Sequence, residues 1–261
     1  KPHHMYGGHA IVGGQCPLGV GLAFAIQYEK KDGVALCYLG DGALNQGAFH
    51  EAMNLASIYN LPILFVLENN NYSMGTHIAR GTSMAQDLSV KAESYGIRYA
   101  ECDASDVLDV YDCFAREVAN ARGSQNPQWI ENRKPHQVPT YSREGRTPGP
   151  CFVNVDTYRY QGHSMSDPQK YRSKDEVTAE QERDAIANLV RHLIERDLST
   201  QAEIDALDNK AKDEAKAAVQ FAEESPDLGI EELYTDVFAN PFGVFKKGEP
   251  SIFLRETGGA A

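Results

Sequence analysis

LGDGALNQG, residues 39–47, sets one carboxylate between two glycines directly after the apolar run VALCYL (34–39), and the reading of that junction decides the fold. A short apolar run without alternation, closed by glycine, reads as a buried strand of a parallel sheet. Gly40-Asp41-Gly42 is then the turn at the carboxyl end of the strand, the rim where ligands bind in open α/β sheets. The flanking glycines let a phosphate or a second stretch of backbone come close to Asp41. Taken alone, the commoner role of such a carboxylate is to cap the helix that follows.

A second junction changes that balance. ILFVL (63–67) is followed by Glu68 and then Asn69-Asn70-Asn71-Tyr72, with 26 residues between Gly42 and Asn69. That interval holds one crossover of helix, turn and strand, so two adjacent parallel strands would bring Asp41 and Asn70 to one rim. Carboxylate, amide oxygen and backbone carbonyl are hard donors suited to Mg²⁺, which completes its octahedron with phosphate oxygens and water. The pair of turns predicts a metal-bridged diphosphate clamp.

Working outward, IRYAEC (97–102) and CFVNVDT (151–157) read as two more strands. Helical periodicity covers Pro17 to Tyr28, Asn45 to Tyr59, Met84 to Tyr95 and Asp106 to Arg122. Strands alternating with helices predict an α/β fold with a mostly parallel sheet, helices on both faces and right-handed crossovers. After Asp175 no strand is expected. Residues 1–175 read as the α/β domain, and 176–261 as a helical segment extending it. In the latter, Ser199 and Thr200 offer a cap, and Ile204, Leu207, Ala211, Ala215, Val219 and Ala222 trace one apolar stripe. Residues 125–150 hold five of the twelve prolines and no period, so they read as a long surface insertion.

Composition removes several function classes. A net charge of -12 argues against nucleic acid or an anionic membrane as the main partner. The five cysteines form no CxxC pair and mostly sit in apolar stretches, which predicts buried thiols in place of disulfides or a zinc site. No run reaches the roughly 18 apolar residues of a membrane helix. The chain opens at Lys1 without an initiator methionine, and a processed or truncated chain is the expectation.

Four stretches together carry a family resemblance: YGGHAIVGGQCPLGVGLAFA (6–25), GDGALNQGAFHEAMNLA (40–56), LPILFVLENNNYSMGT (61–76) and TYRYQGHSMSDPQKYRSKDEV (157–177). In this order they resemble the alpha subunits of pyruvate dehydrogenase, in the thiamine diphosphate-dependent 2-oxoacid dehydrogenase family. The resemblance implies a thiamine diphosphate-binding fold in which Asp41, Asn70 and the carbonyl of Tyr72 hold Mg²⁺. It also implies that Gly40, Gly42 and Ala43 line the diphosphate turn and that the backbone of Ala10 and Val12 meets the pyrimidine ring. Ala10 departs from the family, which often has glycine there. Arg159 and His163 match loop residues that reach diphosphate and substrate and act in catalysis, and Ser164 matches a phosphorylation site of mitochondrial relatives.

The implied activity is oxidative decarboxylation of pyruvate with acetyl transfer to lipoamide. The implied assembly has two alpha and two beta chains on a dihydrolipoyl acetyltransferase core, in a mitochondrial matrix or a bacterial cytoplasm. In such relatives the glutamate beside the pyrimidine comes from the beta subunit, which leaves Glu51 and Glu68 structural. GHSMSDP favours pyruvate; branched-chain 2-oxoacid and acetoin dehydrogenases are the alternatives. The family also carries a segment ahead of YGGH with a Tyr-Arg pair that touches diphosphate and substrate, and its absence here motivates a further reading, a non-catalytic assembly subunit of the same fold. A Rossmann-type nucleotide binder is disfavoured, because no GxGxxG follows a strand and there is no P-loop.

Overall fold

The computed structural model describes residues 4–123, 148–230 and 232. The chain divides into two compact units, Lys1–Leu198 and Ser199–Ala261. In the first unit, helix α1 (Gln15–Tyr28) precedes strand β1 (Ala35–Gly40), a 3-10 turn (Asp41–Asn45), helix α2 (Gly47–Tyr59) and strand β2 (Ile63–Asn69). A two-stranded hairpin follows, β3 (Tyr72–Ser73) and β4 (Thr76–His77), then short helices α3 (Ile78–Gly81) and α4 (Ser89–Glu93). Strand β5 (Arg98–Asp103), helix α5 (Val107–Gly123), strand β6 (Cys151–Asp156), and helices α6 (Lys174–Gln181) and α7 (Ala185–Glu195) follow among the described residues. In the second unit the described residues hold helix α8 (Gln201–Glu224), which opens on a capping box between Thr200 and Glu203. The insertion at 125–150 lies outside the described residues except for its last three.

The four long strands form one parallel sheet in the order β1-β2-β6-β5. β2 and β6 are buried along nearly their whole length, as strands covered on both faces must be, whereas β1 at the edge alternates buried and exposed residues. One apolar layer joins α1 and α2 to Cys37, Leu39, Ile63, Phe65, Leu67 and Phe152; Phe49 of α2 sits edge-on to Phe65 at 6.0 Å. The other joins Cys113 and Ala121 of α5 to Leu64, Val66, Cys102, Val153 and Val155. Helices therefore cover both faces, as the sequence pattern requires. α1 comes close to β1 because Gly19 has no side chain: a Cβ there would lie 3.0 Å from the Cβ of Cys37. All five cysteines are buried free thiols.

Two sequence expectations are corrected. The helix expected over Met84 to Tyr95 is only the five residues Ser89–Glu93. Met84 takes a left-handed φ of 58°, and the Asp87 carboxylate accepts from the amide of Ser89. Side-chain capping of this kind ends a turn in place of continuing a helix. The helix expected from Asn45 begins instead at Gly47, because Gln46 is extended and the preceding residues wind into the 3-10 turn. The hairpin at 72–77 is an addition, too short to leave a two-residue alternation in the sequence.

Candidate functional site

The register that pairs Gly40 with Glu68 brings Asp41 and the asparagines after β2 to one rim of the sheet. The bend there begins with the Asn69 side-chain oxygen, which accepts from the amide of Asn71 at 3.3 Å, and Asn71 adopts a φ of 65°. The side-chain oxygen of Asn70 accepts from the amide of Tyr72 at 3.1 Å. The chain then turns into the hairpin, and Ser73 comes back against Gly42. A Cβ on Gly42 would lie 2.7 Å from the Ser73 hydroxyl. Only glycine lets the two turns touch.

Asp41 is 3% exposed, and its Oδ2 has no hydrogen-bond partner. Burial pushes its carboxyl above the usual carboxylate range, although the Ser73 hydroxyl, the amides of Gly42 and Asp41 and the charge of Arg159 all pull the other way. An unpaired buried carboxylate oxygen costs stability unless a cation or donor meets it. Among the described residues no three His, Cys, Asp or Glu side chains gather. One carboxylate beside amide and carbonyl oxygens is the donor set Mg²⁺ accepts when phosphate and water supply the rest. The orphaned Oδ2 and the bare Gly42 therefore fit a divalent cation carrying a diphosphate. Gly42→Ala is expected to drive Ser73 away from Asp41 and to destabilise the chain by about 1–3 kcal/mol, read by urea unfolding.

Arg159 reaches this rim from beyond β6. Its guanidinium donates to the carbonyls of Tyr72 (3.1 Å), Met74 (2.8 Å) and Gln161 (3.1 Å) and to the Tyr171 hydroxyl (2.9 Å). Tyr171 in turn donates to Asp167 at 2.8 Å, and the same Asp167 oxygen accepts from the backbone amide of His163 at 2.8 Å. That amide and its neighbours hold the Asp167 carboxyl below the usual range. Arg172 gathers the carbonyls of Arg159, Tyr160 and Gln161, while its guanidinium lies 5.2 Å from the Tyr158 ring centre. The loop carrying Arg159 and His163 is thus a braced structure. Ser164 is exposed on it, with its hydroxyl 3.2 Å from that of Ser166.

Of the residues expected from the sequence, the structure gathers Asp41, Gly42, Asn70, Tyr72 and Arg159 around one rim. Gly40 ends β1 there, and Ala43 is buried in the 3-10 turn. His163 is tied in through its backbone, and its side chain is exposed. Ala10 and Val12 are both exposed, and no direct bond joins them to Asp41 or Asn70 among the described residues. Their segment approaches the rim at Gly13, where a Cβ would lie 2.9 Å from Gln46. Sequence reasoning passed over Ser73, Asp167, Tyr171 and Arg172. The only signal for the last three was the density of tyrosine, arginine and aspartate in TYRYQGHSMSDPQKYR.

Glu176, in the first turn of α6, accepts from two tyrosine hydroxyls: Tyr158 at 2.9 Å and Tyr72 at 3.1 Å. Burial first, and the hydrogen bond to Glu176 second, push the Tyr158 phenol up to about 12.

The model of the Dehydrogenase E1 component family matches residues 1–133 and 138–231. The chain is 42% identical over 237 residues to the pyruvate dehydrogenase E1 component subunit alpha of Rickettsia prowazekii, covering 91% of this chain and 65% of that one. It is 38% identical over 238 residues to the protein of that name from Rhizobium meliloti, covering 91% and 62%. To the mitochondrial subunit alpha-1 of Oryza sativa it is 37% identical over 261 residues, covering 98% and 60%. The chain thus spans less than two thirds of the length of these relatives. With the matched model covering most of its residues, the chain belongs to the Dehydrogenase E1 component family.

Proposed function

We propose that the chain is the alpha-type subunit of a pyruvate dehydrogenase decarboxylating component. It binds thiamine diphosphate through Mg²⁺, decarboxylates pyruvate and passes an acetyl group to lipoamide, in a mitochondrial matrix or a bacterial cytoplasm. The observation that carries this reading is the buried Asp41 carboxylate with an orphaned oxygen, set beside the Asn70–Tyr72 turn at the carboxyl end of adjacent parallel strands. The names of the relatives supply the substrate.

The roles of the residues follow from their chemistry. Asp41, the Asn70 amide oxygen and the Tyr72 carbonyl hold the cation. Gly40, Gly42 and Ala43 keep the turn narrow enough for a diphosphate to approach. Arg159, already anchored on the Tyr72 carbonyl, adds positive charge beside that diphosphate. His163 stands on the exposed side of the braced loop, where an imidazole can exchange protons with substrate. Thiamine diphosphate, when bound, supplies the electron sink for decarboxylation. A beta-type partner completes the site, in an assembly of two alpha and two beta chains on an acetyltransferase core.

The test is calorimetric titration of thiamine diphosphate with Mg²⁺, followed by a pyruvate decarboxylation assay, with and without the beta-type partner. Turnover only with the partner is expected. Robust turnover by the chain alone, or no cofactor binding by the assembled pair, contradicts the reading.

A further inference from the structure

We infer that Glu176 is a positioning residue for the cation site: from the first turn of α6 its carboxylate fixes the Tyr72 side chain, and through it the carbonyl that serves as metal donor. This rests on the metal reading above. Tyr72 is held at every polar point. Its amide donates to Asn70 at 3.1 Å, its carbonyl accepts from Arg159 at 3.1 Å, and its hydroxyl donates to Glu176 Oε1 at 3.1 Å and Oε2 at 3.3 Å. Its ring is wedged edge-on to His77 at 5.1 Å and tilted against Tyr171 at 5.3 Å. A carbonyl has two lone pairs, so accepting from Arg159 leaves one for a cation.

Glu176 stands 104 residues further along the chain than Tyr72, so nothing local holds it there. Two features of the sequence do. The Ser173 hydroxyl accepts from the Glu176 amide at 3.1 Å and starts α6, which sets the direction of the side chain. The Tyr158 hydroxyl, one residue before Arg159, donates to the same Glu176 oxygen at 2.9 Å. One carboxylate therefore ties the loop of the metal-donor carbonyl to the loop of Arg159. Donors fixed from behind bind metal more tightly than free ones, and losing such a partner typically costs 10–100-fold in affinity.

The test measures Mn²⁺ affinity by electron paramagnetic resonance of free Mn²⁺, in the presence of thiamine diphosphate, on the chain assembled with its beta-type partner. Tyr72→Phe removes one hydroxyl and keeps the ring, and Glu176→Leu removes both acceptor oxygens that the tyrosine hydroxyls meet. Each is expected to weaken Mn²⁺ about 10-fold, and the double variant to lose no more than the single ones, because both break the same link. Far-ultraviolet circular dichroism should be unchanged. Affinities within twofold of wild type, or losses that multiply in the double variant, overturn the inference. If Glu176→Leu does not assemble, Tyr72→Phe alone decides, since it changes one atom on an otherwise intact ring. Wild-type chain that takes up no Mn²⁺, or takes it up equally well as Asp41→Asn, refutes the metal reading itself and is distinguishable from failure of the Glu176 role.

Discussion

Asp41→Asn is expected to abolish Mg²⁺-dependent binding of thiamine diphosphate while leaving the metal-free chain at least as stable as the wild type. The two halves of this result have one cause. A carboxylate that is 3% exposed, with one oxygen lacking any partner, is a cost that the folded chain bears in the absence of a cation. Replacing it with the neutral amide of the same shape relieves the charge burial and leaves an oxygen for the Ser73 hydroxyl. The same change removes the one side-chain carboxylate proposed for the metal. The loss of affinity should exceed the 10–100-fold typical of residues that merely support a ligand. Thermal unfolding with and without Mg²⁺ and thiamine diphosphate reads both halves at once: the midpoint without ligand stays or rises, and the ligand-induced rise disappears. A substantial drop of the unliganded midpoint would mean that Asp41 is a structural cap.

The second large effect lies away from the rim. Glu117 of α5 is 1% exposed and is bonded by Arg98 of β5 at 3.1 Å and by Arg116 at 2.9 Å. Burial raises its carboxyl, but the Arg116 hydrogen bond and the Arg98 charge and hydrogen bond together outweigh it and hold the group below the usual range. Arg98→Met leaves the buried carboxylate with the mostly exposed Arg116 and a long contact from the Asn120 amide at 3.5 Å. The expected loss is about 3–5 kcal/mol of unfolding free energy. The pH dependence follows from the sign of the shift. A depressed carboxyl contributes stability above its unfolded pKa of about 4.3 and loses it as pH falls through the folded value. In Arg98→Met burial dominates and the carboxyl rises, so the deficit relative to wild type should shrink between neutral pH and about pH 4. Urea unfolding at several pH values measures it. Arg98→Met with Glu117→Leu should recover much of the loss, because a well-packed apolar pair can replace a buried ion pair.

These two sites differ in how far the sequence alone made them legible. Asp41 stood out because glycine, carboxylate and an asparagine run occupy the ends of two apolar strands, and sheet topology then dictates their proximity. β2 and β6 were equally readable, since a strand buried on both faces is mostly apolar, with Asn154 the buried polar exception in β6. Arg98, Glu117 and Glu176 were silent, because their partners are set by tertiary approach between elements far apart in the chain. The braced loop was half legible. Arg159 and His163 were marked by a family resemblance, but nothing in the residues said that Asp167, Tyr171 and Arg172 would immobilise them. The misjudged helix at 84–95 shows the limit from the other side. Its apolar spacing was helical, and a left-handed Met84 together with the Asp87 cap overruled it.

The most direct test of the central claim is a crystal structure of the chain with its beta-type partner, thiamine diphosphate and Mn²⁺, in which anomalous scattering locates the cation. One Mn²⁺ bound at once by the Asp41 carboxylate, the Asn70 amide oxygen, the Tyr72 carbonyl and the diphosphate is the predicted result. A cation bound without Asp41, or a diphosphate seated away from the Gly40–Ala43 turn, would contradict it.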